Sequence, residues 1–491
     1  MLEMIKSFPL IIILVLFITA FIMPLVKKNK IIKSISLSSV AAVMLLSLIH
    51  FSFIIKNGPY LYSVGHVDSP FGIEFSIGSI EGIMAVLFTF VTLMIVWYSI
   101  YSIDRDIKDA RIPLYYLLIN MLVGSLLGVV FSNDIFNSYV FIEVGTLASC
   151  GIIVVKDKKE NIMAATKYLI MSCLGSGLVL MGIAYLYSIT GHLNMVYIHK
   201  ELVNVYTQYP RAILITLGLF TVGLGVKSAI FPLHNWLPDA HSSAPSPSSA
   251  ILSSLVLKAY VILLIKVLYR VFGTEIVLQF PILRIILVLG SLGMIIGSIF
   301  AIYQKEIKRV IAYSTVAQMG YIFMGIGLGT ELGVSIAIFH IIGHAVTKSA
   351  LFLTVGAMIE QTGYKEVQDL RGIGREMPIT LGLFTIGALS MVGIPLLPGF
   401  VSKWNFALAS IDKGELFLIA IIIGSSLLNV IYYFPIVING FFGDENLEGK
   451  VYKSKSKPVK ELMPIIVLVL SMLYLGTASK GIIQLIRTGL I

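Results

Sequence analysis

Apolar runs long enough to cross a lipid bilayer recur down the whole chain, and they leave it few folds to adopt. A spanning helix needs about 20 mostly apolar residues. Such runs lie near 8–26, 34–55, 79–101, 113–132, 135–155, 163–188 and 211–229. Seven more lie near 246–269, 282–303, 310–328, 333–356, 379–410, 416–441 and 463–486. Within lipid, each backbone polar group of such a run must be satisfied inside its own segment, so the runs fold as helices. The expectation is an all-α polytopic membrane protein with about fourteen transmembrane helices. Composition agrees, with 57% of the 491 residues hydrophobic and 13% charged, against about 25% charged in a soluble domain.

The formal net charge of +10 does not point to nucleic acid. The basic residues sit in short clusters between the apolar runs. Alternate loops hold Lys27, Lys28 and Lys30, then Arg105 and Arg111, then Lys156 and Lys158, then Lys305 and Arg309. The same register reaches Lys365, Arg371 and Arg375, and a five-lysine loop at 450–460. Cytoplasmic loops are the lysine- and arginine-rich ones, so these loops are expected in the cytoplasm and both termini outside. The loop at 231–245 lacks Lys and Arg and is expected to tuck into the protein. The first run is too long for a signal peptide and no small-residue cleavage site follows it, so it reads as a retained helix. The segment 57–78, rich in Gly and Pro, reads as an external hairpin or loop.

Two cysteines, Cys150 and Cys173, exclude a disulfide framework. They also exclude an iron–sulfur cluster held by this chain alone, since such clusters take about four thiolates.

Two spans are broken by proline. The seventh runs into Pro232 and Pro238, and the twelfth contains Pro395 and Pro398. Proline removes a helix hydrogen bond, and a broken backbone at membrane depth survives only beside protein or a watery cavity. Two interrupted spans in corresponding places are the mark of inverted repeats. The breaks lie five helices apart, so two inverted five-helix repeats with discontinuous helices seven and twelve are expected. The expected organisation is an N-terminal three-helix segment with the hairpin over 1–112, repeats over 113–272 and 278–442, and a basic loop with a final helix over 443–491.

Most spans lack charge in their middles. The exceptions are Glu143, Lys227, Lys258, Lys348 and Lys403, with His340 and His344. An ionised lysine at a helix centre costs about 2.5–3.5 kcal/mol on the mildest scale. Four of them must therefore be paired, hydrated or neutral, and any of these lets them exchange protons. Glu143 is expected to partner a buried lysine across helices. His340, His344 and Lys348, spaced i, i+4, i+8, share one helix face and suit a proton relay, because imidazole titrates near neutral pH. No acidic or cysteine ligand stands near the histidine pair to make it a zinc site. Lys266 and Arg270, at the outer end of the eighth span, read as interface anchors.

These residues resemble a known family. Phe141-Ile-Glu143, the stretch Val226–His241 around Lys227, Pro232 and Pro238, and Ala244-Pro-Ser-Pro247 carry the likeness. So do Lys308–Thr315, Gln318–Tyr321, His344–Lys348, Asp369–Gly372 and Gly393–Pro395. The chain resembles the antiporter-like subunits of respiratory complex I, of Mrp-type cation/proton antiporters (their D type), and of membrane-bound hydrogenases and sulfur reductases. The resemblance implies that Glu143 pairs with Lys227, that Lys258 is the central lysine, that His340, His344 and Lys348 link onward, and that Lys403 is the terminal site. Ser243, where many complex I relatives are acidic, leans towards the Mrp or hydrogenase-type branches.

The expected function is proton translocation, with sodium as a further candidate ion, along these residues in a subunit of a multisubunit complex. A stand-alone carrier of a small solute is the alternative, and a structural scaffold a third reading. No cofactor or redox chemistry is expected in this chain; iron–sulfur clusters or other redox centres would belong to partner subunits. Expected partners are other hydrophobic subunits, lipid and, in a redox-driven pump, a hydrophilic arm. The expected location is the cell membrane of a prokaryote.

Overall fold

The computed structural model describes residues 2–442 and 458–490. Among them, thirteen helices are long and apolar enough to cross a membrane. With the interrupted twelfth they run in order as α1 (Phe8–Leu25), α2 (Asn29–Asn57), α3 (Ser79–Asp106), α4 (Ile112–Phe131) and α5 (Ile135–Val154). Next come α6 (Lys159–Thr190), α7a (Pro210–Lys227) with its short continuation α7b (Leu237–Ser243), α8 (Ser246–Phe272) and α9 (Ile282–Ile302). Then follow α10 (Ile307–Gly327), α11 (Glu331–Thr362), α12a (Pro378–Val392) with α12b (Pro398–Lys413), α13 (Phe417–Phe442) and α14 (Val459–Thr477). The protein is a multi-pass helical membrane protein.

Burial sorts these helices into a centre and a rim. The most apolar stretches of α8 and α11 are fully buried, while those of α1, α2, α6 and α14 are only 39% buried. A helix apolar on all sides belongs inside protein or against lipid. In α8 and α11 the polar residues therefore face other helices, which is where ionisable side chains can be kept. Close packing at this centre depends on small residues, as it does in membranes generally. A Cβ on Gly290 of α9 would lie 2.5 Å from the Met324 backbone nitrogen of α10.

The two faces of the bundle differ. On one, the basic loops meet through ion pairs: Lys33 with Asp104 at 2.6 Å, Arg111 with Asp157 at 2.5 Å and Lys156 with Asp106 at 2.7 Å. On the other lies the hairpin expected in 57–78, with Tyr60–Ser63 paired antiparallel to Glu74–Ile77. Buried Glu74 pins it by accepting from Asn133 at 2.8 Å and Asn194 at 3.0 Å. We call these the basic face and the hairpin face. Residues 443–457, which include most of the five-lysine loop, lie outside the described residues.

Candidate functional site

Both proline breaks fall where the sequence places them. α7a ends at Lys227, and the chain turns through Pro232 before resuming at Leu237 with Pro238 in the first turn. Ala229 holds a φ of 55° in this turn. The indole of Trp236 donates to the Val226 carbonyl at 3.0 Å, taking up one acceptor that the break frees. Lys227 is thus held at the negative end of a half helix. Its ammonium donates to Thr146 of α5 at 2.8 Å and lies 3.9 Å from Glu143 and 5.5 Å from the centre of the Tyr260 ring. Room for it comes from Gly175 of α6, where a Cβ would lie 2.8 Å from the Gly223 carbonyl and 3.3 Å from Lys227 Cγ. Glu143 is not enclosed: 32% of its side chain is exposed on the flank of the bundle.

Lys258 is fully buried on α8. The helix opens into a π-helical turn over Leu252–Val256, and the ammonium of Lys258 donates to the Ser253 carbonyl in that turn. A π-turn widens the hydrogen-bond ladder and recurs at functional positions. Hydroxyls tie this turn to its neighbours, Ser253 to Thr315 of α10 at 3.0 Å and Ser254 to Ser349 of α11 at 2.7 Å.

On α11 the expected stripe is present and buried. The rings of His340 and His344 stack 5.9 Å apart. Among the described residues, neither nitrogen of His344 has a hydrogen-bond partner, and Nε2 of His340 has none. Nδ1 of His340 meets the Ser402 hydroxyl of α12b at 2.8 Å. Lys348 leaves the stripe at its tip, donating to Ser314 at 2.5 Å and to the Ile311 carbonyl at 2.9 Å on α10.

The second break has α12a ending at Val392, then Pro395, Leu396 with a φ of 72°, and α12b opening at Pro398. Lys403 lies one turn into α12b and reaches back to the carbonyls of Met391 at 2.8 Å and Val392 at 2.9 Å. Those carbonyls are acceptors that the end of α12a leaves free. The Lys403 ammonium sits 5.2 Å from the Tyr321 ring centre. Lys403 is buried.

Three buried charges were missed or misread. Lys266 is 3% exposed and is not an interface anchor; its ammonium donates to the Val130 carbonyl and lies 3.4 Å from Glu81 of α3. Arg270 donates to the same carboxylate at 2.7 Å. Lys308, 4% exposed, donates to the Ala244 carbonyl that closes α7b. The signal for Lys266 was its place eight residues after Lys258, on the same side of α8. Glu81 gave none, because the third residue of a span reads as an interfacial end.

Lys308 borders a cavity of about 790 Å³ that opens on the basic face, beside Asp239, Ser243 and Ser246. Asp239 is held there by Lys167 at 2.7 Å and Arg309 at 3.0 Å. Burial pushes the Glu306 carboxyl at this rim up from its ordinary value. Among the described residues, no group of three or more His, Cys, Asp or Glu side chains could hold a metal ion.

A polytopic α-bundle with buried lysines at two helix breaks defines an antiporter-like membrane protein. Residues 132–429 match the family described as NADH:quinone oxidoreductase/Mrp antiporter, TM, and the chain belongs to that family. It is 33% identical over 443 residues to the N-type subunit of the NADH-quinone oxidoreductase of Desulforudis audaxviator, covering 88% of this chain and 87% of that one. It is 28% identical to the D-type subunit of the Na(+)/H(+) antiporter of Alkalihalophilus pseudofirmus, covering 95% and 92%. Among solved structures, a chain of the archaeal membrane-bound sulfane sulfur reductase superposes with a TM-score of 0.89 at 26% identity, over 98% of this chain and 96% of that one. A chain of the Mrp complex of Dietzia sp. shares the fold, with a TM-score of 0.90 at 20% identity over 99% and 97%. Relatives of both branches match along most of the chain.

Proposed function

We propose that this chain is the proton-translocating subunit of a multisubunit membrane complex, working through Glu143, Lys227, Lys258, His344, His340 and Lys403. The observation that carries this reading is the Glu143–Lys227 pair, a partly exposed carboxylate 3.9 Å from a buried ammonium at a helix break. At about 4 Å and an effective dielectric of 20, such a pair is worth roughly 4 kcal/mol. Movement of the Glu143 charge would release the Lys227 ammonium, whose proton has Tyr260 beside it and Lys258 on the same helix as that ring. The unpartnered ring nitrogens of His344 and His340 supply relay sites beyond, and Ser402 joins them to the helix of Lys403. Water drawn from the cavity on the basic face refills the axis past Ser246 and Ser249. Lys348, turned towards α10, serves as a side store of charge.

Two inverted repeats, 113–272 and 278–442, would make the two halves of this path, with 1–112 and 443–491 flanking them. The basic loops face the cytoplasm of a prokaryotic cell and the termini lie outside. Another hydrophobic subunit covers the flank where Glu143 is exposed, since a bare carboxylate against lipid is costly. The sodium in the name of one relative makes Na+ a second candidate ion. Redox centres, where the complex has them, sit in its other subunits; none of the relatives described is a stand-alone carrier.

The test is proton flux in the assembled complex in vesicles. Lys258→Ala and Glu143→Ala should abolish flux while subunit composition stays intact, and wild-type flux from either assembled variant sinks the proposal. Iron and cluster-bearing subunits in the purified complex would identify a redox-driven pump; only hydrophobic partners, without iron, would identify an antiporter.

A further inference from the structure

The axis leaves one buried ion cluster unused. Glu81 is fully buried in the first turn of α3, and Lys266 and Arg270 of α8 share its carboxylate. Its second oxygen accepts the Gly78 amide at 3.0 Å. Lys266 is also held by the carbonyls at the end of α4, Val130 and Ser132. Arg270, a third exposed, lines a second cavity of about 620 Å³ on the hairpin face, with Gly78, Ser79, Asn133 and His199. One carboxylate thus joins an ammonium inside the protein to a guanidinium at an opening to the surface.

The cluster is also connected inward. α4 and α8 both run from the basic face to the hairpin face, and the Lys266–Val130 contact fixes their relative height. Ser125 of α4 and Tyr260 of α8 both face Gly145, where a Cβ would lie 3.1 Å from the Ser125 hydroxyl and 3.6 Å from the Tyr260 hydroxyl. Among the described residues the Tyr260 hydroxyl, buried beside Thr146 and Tyr168, has no partner at hydrogen-bond geometry. Ser125 stands five residues before Val130, about 7.5 Å along the helix, and Tyr260 six before Lys266, about 9 Å. A proton would cross such gaps over one or two waters together with the reach of a lysine side chain.

We propose that Lys266 and Glu81 form a proton-release station at the hairpin face, fed from Lys227 past Tyr260 and Ser125. The Lys266 ammonium gives its proton to the Glu81 carboxylate, leaving a neutral amine and a carboxylic acid. The acid passes the proton to water in the cavity and is a carboxylate again, and the amine takes the next proton from the Tyr260 side. Arg270 keeps its proton throughout, as arginine does, and its charge favours return of the carboxylate. This outlet rests on the axis proposed above.

Lys266→Arg and the double variant Glu81→Gln with Lys266→Met test it, in the assembled complex in vesicles with an imposed membrane potential. Arginine keeps the ion pair but cannot give up a proton. The double variant removes the buried ammonium and carboxylate together and leaves Arg270, a third exposed, to turn into the cavity, so a structural defect of the buried pair is relieved whereas a proton station stays broken. The expected result is at least a tenfold loss of flux in both variants with normal subunit composition. Wild-type flux from assembled Lys266→Arg, or flux restored in the double variant after loss in Lys266→Met, overturns the station. Lys258→Ala separates the two failures: if it blocks flux while Lys266→Arg conducts, only the outlet falls, and if it conducts normally the axis itself falls.

Discussion

The two broken helices each place a lysine at the interruption, and they hold it by different means. At the first break the lysine is the last residue of the near half: Lys227 points sideways to Thr146 and Glu143 of α5. At the second it belongs to the far half: Lys403 reaches back across the gap to two backbone carbonyls of α12a. A carbonyl has a fixed dipole, but a carboxylate can move or lose its charge. On the proposed path the first break is thus the one to be switched, and the second holds a charge in place once it arrives. The difference also bears on the fold, because Lys403 closes its helix break and Lys227 does not.

The largest expected effect sharpens this contrast on the functional side. Glu143→Gln keeps the shape of the side chain and removes its charge. The loss of roughly 4 kcal/mol of pairing should lower proton flux by at least a hundredfold, with the complex still assembled. The comparison breaks if Glu143→Gln transports normally.

A second prediction concerns stability. Lys403→Met strips a charged donor from the Met391 and Val392 carbonyls, although Asn429 still donates to Met391 at 2.9 Å. A hydrogen bond to a charged group contributes about 1.5–3 kcal/mol, so a loss of about 2–4 kcal/mol is expected. Lys227→Met forfeits one hydroxyl contact and a longer ion pair; the relief of a buried ammonium's desolvation offsets most of that pair's Coulomb attraction, so the net loss should be about half as large. Thermal unfolding of the two purified variants checks this, and equal losses would show that the two lysines do the same job.

The sequence was legible where a side chain contradicts its surroundings. Lysines in the middle of apolar runs, and prolines inside them, announce themselves because lipid forbids them, and the spans, both breaks and the α11 stripe follow from that rule alone. Glu81 and Lys308 escaped because they sit at the ends of their spans, where a charge is ordinarily solvated. Their burial comes from neighbours: Lys266 and Arg270 of α8 over one, α7b over the other. Lys266 escaped for a related reason, since a lysine near the edge of a run can snorkel, and only packing against α3 and α4 prevents it. The π-turn at Leu252–Val256 also left no trace, because Ser253 and Ser254 read as ordinary small residues of a span and their bonds to Thr315 and Ser349 exist only once α10 and α11 pack there.

The smallest expected effect probes the backbone of the breaks. Each holds one residue other than glycine in the left-handed region, Ala229 at a φ of 55° and Leu396 at 72°. Left-handed backbone costs an L-residue about 1–2 kcal/mol, and glycine adopts it freely. Ala229 is fully buried and loses only a methyl group on replacement, so Ala229→Gly should stabilise the protein by about 0.5–1 kcal/mol after the added freedom of the unfolded chain is counted. Leu396 is 70% exposed, and Leu396→Gly gives up that side chain's contact with lipid or a partner, so its net gain should be smaller. Read as unfolding temperatures, the two shifts should fall in that order. Flux should fall in Ala229→Gly alone if the strained turn sets the height of Lys227 against Glu143. A stabilised Ala229→Gly variant with unchanged flux would mean that the first break is a hinge of ordinary stiffness, and that the 3.9 Å pair is positioned by the packing of α5 and α6.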